Sequence, residues 1–154
     1  AEGSAENSVR EALASDISSF GTEGNLFSST ADETVEKIRK VLEERSRFFR
    51  KSLSEKAECC VCGIHRLSLL KAVPYGEGGM KHKGLVLCPI HAALFAAHLI
   101  SFSDRGKVLV SPSVTEEEKE QFGLTKGMDA RYTFSRRRMA VHRRIFNQKG
   151  RKEK

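Results

Sequence analysis

Apolar residues are scattered singly through residues 1–29, among Ser, Gly, Glu and Asn, and fall into register only from residue 30 onward. The first stretch reads as a disordered or loosely ordered arm, with one short helix around Val9 to Ile17. From Thr30 the spacing changes. Val35, Ile38, Leu42, Phe49 and Leu53 follow a helical stripe, and Thr30 with Glu33 has the spacing of a capping box. These positions predict a long amphipathic helix over 30–57, with one face on the core and charge on the other.

Beyond it the pattern shortens. Leu67 to Val73 predicts a strand, Tyr75 to Lys83 a flexible loop containing Gly76, Gly78 and Gly79, and Gly84 to Leu87 a second short strand. Pro89 suits the first turn of a helix running to about His98, because proline has no N–H to leave unpaired there. Leu99 to Val110 reads as a β-hairpin turning at Asp104, Arg105 and Gly106. Ser113 and Glu116 have capping-box spacing and predict a short acidic helix that stops before Gly123. The last predicted helix, Ser135 to Asn147, puts Met139, His142 and Phe146 near one face, with Arg136, Arg137, Arg138, Arg143 and Arg144 around it. The expected architecture is α+β. A small core over 58–124 is flanked by the long N-terminal helix and by a basic C-terminal helix and tail over 125–154.

A chain of 154 residues is long enough for one domain with a real core but not for two of ordinary size. Its apolar fraction of 39% is low for a globular domain, and the deficit lies in the two polar ends. No apolar run approaches the roughly 18 residues of a membrane span, and no secretory signal opens the chain, so a soluble protein without a membrane partner is expected. The chain begins at Ala1 without Met, which fits a mature form whose leader has been removed or a fragment. An organellar leader, plastid or mitochondrial, is one explanation.

Charge is segregated. From Lys126 to Lys154 there are eleven Lys/Arg against Asp129 and Glu153, so this stretch carries +9 of a chain whose total is +7. That is the footprint of a phosphate-binding arm, because each neutralised phosphate releases condensed counterions. The plain alternative is a solvated tail.

Candidate chemistry centres on sulfur. Cys59-x-x-Cys62 and Cys88-x-x-His91 form two knuckles, and zinc takes four such ligands in a tetrahedron, two from each tight turn. With all four positions filled by protein no site is open to water, so the expected zinc is structural. A redox C-x-x-C would open a helix within a βαβ unit, which this pattern does not show, and disulfides would suit a secreted chain. Cys60 could replace Cys59 as a ligand, although its spacing to Cys62 is poorer. It is otherwise read as a free, partly buried thiol.

The stretches Leu69 to Tyr75 and Lys83-Gly-Leu-Val-Leu-Cys-Pro-Ile-His-Ala-Ala-Leu-Phe95, followed by Leu99-Ile-Ser-Phe102, the hairpin Ser103 to Val110 and Val141-His-Arg-Arg-Ile-Phe146, resemble the zinc-knuckle type of the HNH, or ββα-metal, nuclease superfamily over roughly residues 59 to 146. The resemblance implies a ββα core. In that family a His ending the first strand, an Asn in the loop and a His on the helix carry metal-assisted phosphodiester hydrolysis. Here the strand end has contracted to Ala72-Val73-Pro74 with no His, the Asn position is Lys83, the His that should follow His91 is Ala92, and the Asp that follows the Phe is Ala96. The resemblance therefore implies a pseudonuclease. His82 and His98 are the side chains that could rebuild an active site.

The expected function is a non-catalytic, zinc-containing domain that binds RNA or DNA through Lys81, Lys83, Arg136, Arg137, Arg138, Arg143 and Arg144. Its polar arms suit a structural subunit, with protein partners, of a gene-expression assembly such as an organellar ribosome or transcription complex. Two alternatives stand beside it. One is an active nuclease with relocated ligands, and the other is a protein-interaction module using the helix from Thr30.

Overall fold

The computed structural model describes residues 31–53 and 57–152. The predicted arm over 1–29, the capping residue Thr30, the last turn expected of the first helix and the final two residues lie outside these. Among the described residues the chain is α+β, with four α-helices and two small antiparallel sheets.

Helix α1 spans Ala31–Ser52, several residues shorter than the pattern predicts. Only Phe48, Phe49 and Ser52 are buried, so it docks by its C-terminal turns. The seat is narrow: a Cβ on Gly84 would lie 2.3 Å from the Phe48 ring and 2.9 Å from the Val73 carbonyl oxygen. The Ser52 hydroxyl donates to the Phe48 carbonyl at 2.6 Å and accepts from the Gly84 amide at 2.8 Å. It thereby satisfies a buried donor that no strand reaches.

Strand β1 covers Lys71–Val73 and pairs antiparallel with β2, Leu85–Leu87, with Lys71 opposite Leu87. The longer strand expected from Leu67 is absent. Leu67–Leu69 is a 3-10 turn closed by the Leu70 amide on the Leu67 carbonyl. A strand needs a partner for each residue, and β2 offers three. In the loop predicted between the strands, Gly79–Lys81 forms one further 3-10 turn.

Helix α2, Pro89–Ala96, follows β2 directly, giving the order strand, strand, helix. It stops before His98 because the chain turns left-handed there, at φ 60°. The Leu99 amide bonds the Leu94 carbonyl and the His98 amide bonds the Phe95 carbonyl, the two bonds of a Schellman ending in which glycine usually takes the left-handed position.

The predicted hairpin is present as β3, Ile100–Phe102, and β4, Val108–Val110, with Ile100 opposite Val110. Gly106 takes φ 80° at the turn. Helix α3, Glu116–Gln121, has its capping box on Thr115 and Glu118 rather than Ser113 and Glu116. Ser113 is unavailable because its amide and hydroxyl both bond the Ser111 hydroxyl. Helix α4, Arg136–Lys152, runs past its predicted end at Asn147. Gly150 is buried there, with Pro112 at 3.5 Å from where a Cβ would stand.

Phe95, Phe102, Leu87, Ile100 and Met139 form the centre of the core. Met139, His142 and Phe146 lie along the buried face of α4, as their spacing predicts, and α4 packs on β3.

Candidate functional site

Both knuckles are tight turns whose backbone bonds fix the ligand side chains. In the first, the Cys59 amide donates to the Ile64 carbonyl at 2.8 Å and the Gly63 amide donates to the Cys59 carbonyl at 3.0 Å. Gly63 closes this turn at φ 80°, a conformation that side chains resist. A Cβ there would also meet the Arg131 guanidinium at 2.7 Å. In the second knuckle Cys88 is the N-cap of α2 and His91 lies in its first turn. Strand β2 carries Cys88 to the metal cluster, and the helix turns His91 back onto it.

The ligand atoms of Cys59, Cys62, Cys88 and His91 all lie within 4.8 Å of one another, with Cys62 exposed and the others buried. His91 Nδ1 is 3.1 Å from Cys88 Sγ and 3.6 Å from Cys59 Sγ. A tetrahedral ion with bonds of about 2.0 to 2.3 Å sets donor separations of about 3.5 to 3.8 Å, so small shifts close the cluster on a metal ion. His91 Nε2 lies 2.8 Å from the Phe122 carbonyl oxygen. That oxygen only accepts, so the ring proton sits on Nε2 and the Nδ1 lone pair faces the thiols.

The electrostatics of the cluster have the same sense. Burial opposes ionisation of Cys59, yet the His91 ring and backbone amides at Cys62, Cys88 and Val61 bring its thiol down to about 6. Burial and the neighbouring Cys59 charge then push Cys62 up to about 12 and raise Cys88 as well. For His91, burial acts downward, but contact with Cys59 and the Phe122 carbonyl leaves it raised. One thiolate is tolerated and a second is opposed. A dication at the centre would supply the charge that all three thiolates need.

Cys60 is not part of this group. It is fully buried rather than partly so, its Sγ lies 3.8 Å from the Tyr132 carbonyl, and burial raises its thiol to about 11. Of Cys59 and Cys60, it is Cys59 whose sulfur lies within the cluster.

The seven basic residues named from the sequence divide into two sets. Lys81, Lys83, Arg136, Arg137 and Arg144 are exposed. Arg138 is engaged with the protein: Nη1 donates to the Lys83 carbonyl at 2.9 Å, and the guanidinium lies 4.4 Å over the Tyr75 ring. Arg143 likewise bonds the Phe102 carbonyl and Asp104, each at 3.0 Å. These two arginines tie α4 to the loop and to the hairpin.

His82 is exposed in the loop. His98 is half-buried, with its ring stacked 4.3 Å from His142. Among the described residues neither belongs to a group of three or more metal-capable side chains. Sequence reading missed two structural partners of the site. One is the Phe122 carbonyl. The other is Tyr132, whose hydroxyl donates to the Val86 carbonyl at 2.7 Å and accepts from the Val86 amide at 2.8 Å. No periodicity marks either, because both are contacts across more than thirty residues of chain.

Val73, Ala92 and Ala96 line one cleft of about 530 Å³, together with Phe48, Phe49 and Leu70. No helix among the described residues is long and apolar enough to cross a membrane. No family model matches the chain, and no curated protein matches it at a significant level.

Proposed function

We propose that this chain is a zinc-stabilised, non-catalytic domain of HNH type that binds nucleic acid by its phosphates. The zinc would sit among Cys59, Cys62, Cys88 and His91, where three sulfurs and one imidazole suit zinc better than the oxygen-preferring cations. With four protein ligands it supplies folding free energy and leaves no position for a reacting water. Cys60 stays a core thiol.

One observation carries the reading of a retired nuclease. Ala92 and Ala96, at two of the positions that would hold the hydrolytic groups, and Val73 of the contracted strand end line a largely apolar cleft with Phe48 and Phe49 of α1. The charged residues of its lining, Arg45 and Lys71, are cationic, and the lining offers no carboxylate, imidazole or thiol to hold a divalent cation. The rival reading, a nuclease with relocated ligands, would need His82 or His98 to join other metal-binding groups. His82 stands apart from any such group of three, and His98 is stacked on a core histidine.

Nucleic-acid binding is supported by Arg136, Arg137 and Arg144, exposed on α4 and without an ion pair among the described residues. Arginine forks match phosphate oxygens, and an exposed run of them favours polyanions. A protein-binding face on α1 also has a specific observation in its favour: its first four turns bury no residue, and Val35 is 65% exposed. This face suits a subunit held by protein partners within a larger assembly while the basic end contacts nucleic acid.

The test is incubation of the zinc-loaded protein with supercoiled plasmid and structured RNA across magnesium, manganese and nickel. Binding without cleavage is expected. Metal-dependent cleavage that disappears in His82→Ala or His98→Ala would overturn the reading.

A further inference from the structure

Two basic clefts flank the start of α4, and successive arginines enter different ones. The first, of about 370 Å³, is lined by Asp104, Arg105, Asp129, Arg131 and Arg136. The second, of about 610 Å³, is lined by Glu77, His82, Arg137, Arg138 and Arg144. Neighbouring helical residues point about 100° apart, following from 3.6 residues per turn, which is why Arg136 and Arg137 separate.

The acidic residues of the first cleft are already neutralised. Asp104 pairs with Arg143 at 3.0 Å and Asp129 with Lys107 at 2.7 Å, and neither cation lines the cleft. Arg105 is exposed at the hairpin turn and has no ion pair among the described residues. Among the described residues Arg131 pairs with Glu58, at 3.4 Å, and its side chain stays 48% exposed. In the second cleft Arg138 donates to the Lys83 carbonyl through Nη1 and keeps its buried Nε and Nη2 without a hydrogen-bond partner, while Arg137, Arg144 and His82 are exposed to meet a ligand. Glu77 is exposed there with no ion pair among the described residues, and it opposes an anion.

We infer that a nucleic-acid strand crosses the start of α4 with successive phosphates in these two clefts, and that Arg105 and Arg131, outside the helix, are binding residues. The inference rests on the reading of the chain as a nucleic-acid-binding domain and adds the path and two residues to it. A single bound anion would use one cleft. Two clefts on either side of adjacent arginines fit a polymer with charges at regular intervals. Arg105, Arg131, Arg136, Arg137 and Arg144 supply five planar forks, the geometry that phosphate oxygens take in pairs.

The experiment measures the affinity of the full, zinc-loaded chain for a mixed-sequence 20-mer, single-stranded and annealed, over a salt series. A poly-glutamate of matched length serves as control. Arg105→Ala and Arg131→Ala should each weaken the tighter complex by about three- to tenfold and flatten the salt slope by about one. Glu77→Gln should tighten it by about threefold, the size expected for one exposed charge. Arg105 carries the test by itself should Arg131→Ala disturb the knuckle at Gly63. If Arg136→Ala weakens binding while Arg105→Ala does not, the two-cleft path is wrong and nucleic-acid binding survives. Absence of binding by the unaltered chain overturns the underlying reading. Equal affinity for poly-glutamate overturns the assignment to a nucleic-acid strand.

Discussion

His91 turns its Nε2 toward the Phe122 carbonyl oxygen at 2.8 Å while its Nδ1 lies 3.1 Å from Cys88 Sγ. The end of α3 thus fixes the tautomer of a ring that belongs to α2. The two knuckles and the acidic helix are one mechanical unit, although they are spread over more than half of the described core.

Removing the metal from this unit should unfold it. Cys88→Ser or Cys62→Ser should lose the metal and most of the helical circular dichroism, because binding and folding share one equilibrium in such sites. Cys60→Ser should keep one metal per chain, at a stability cost of about 1 to 3 kcal/mol for placing a hydroxyl in an apolar site. Metal content by native mass spectrometry checks both. A folded, metal-free Cys88→Ser variant would refute the assignment.

His142 should make the protein acid-sensitive. Its Nε2 lies 2.7 Å from the Phe95 carbonyl and its Nδ1 2.8 Å from the Ser101 hydroxyl, so the neutral ring is fully bonded. Burial, reinforced by the adjacent His98 and opposed by the Phe95 carbonyl, brings its value down from 6.5 to about 4. The unfolded chain therefore binds the proton more readily. The stability from the neutral ring is complete above the unfolded value and is lost as pH falls from about 6.5 to 4, by at most about 3 kcal/mol. Urea unfolding across that range should show a shallower pH slope in His142→Gln than in the unaltered protein. Identical slopes would rule the histidine out.

The seat of α1 can be tested from both of its sides. Gly84→Ala places a methyl against Phe48 and the Val73 carbonyl, and overpacking of this kind costs about 1 to 3 kcal/mol. Ser52→Ala should cost a similar amount by leaving the buried Gly84 amide unpaired. Denaturant midpoints report both. Wild-type stability in Gly84→Ala would mean that the helix is not held there.

Arginines on α4 should separate by role. Arg143→Ala removes bonds to Phe102 and Asp104 and should cost about 1 kcal/mol of stability, with less effect on nucleic-acid affinity than Arg144→Ala. The reverse ranking would show that the free arginines are not the contacting ones.

The helices and the Cys/His cluster were largely legible in one dimension, for a physical reason. Helical periodicity, proline at the first turn of α2, and ligands three residues apart are local relations, and the backbone geometry of each turn is nearly independent of what surrounds it. Met139, His142 and Phe146 lie on the buried face for the same reason.

Partnership across the chain was decided by tertiary structure. The strand expected from Leu67 is cut to Lys71–Val73 by the three residues β2 can pair. The capping box expected at Ser113 is displaced, because the Ser111 hydroxyl takes Ser113 and the cap falls to Thr115. Packing seals Cys60 in the core and draws Arg138 in from the surface, and ties to the hairpin take Arg143 out of the free charge. The sequence determined which groups the protein possesses and the local turns that carry them. Only the fold decided which of those groups are already satisfied by one another, because a contact between distant residues leaves no periodic trace in the chain.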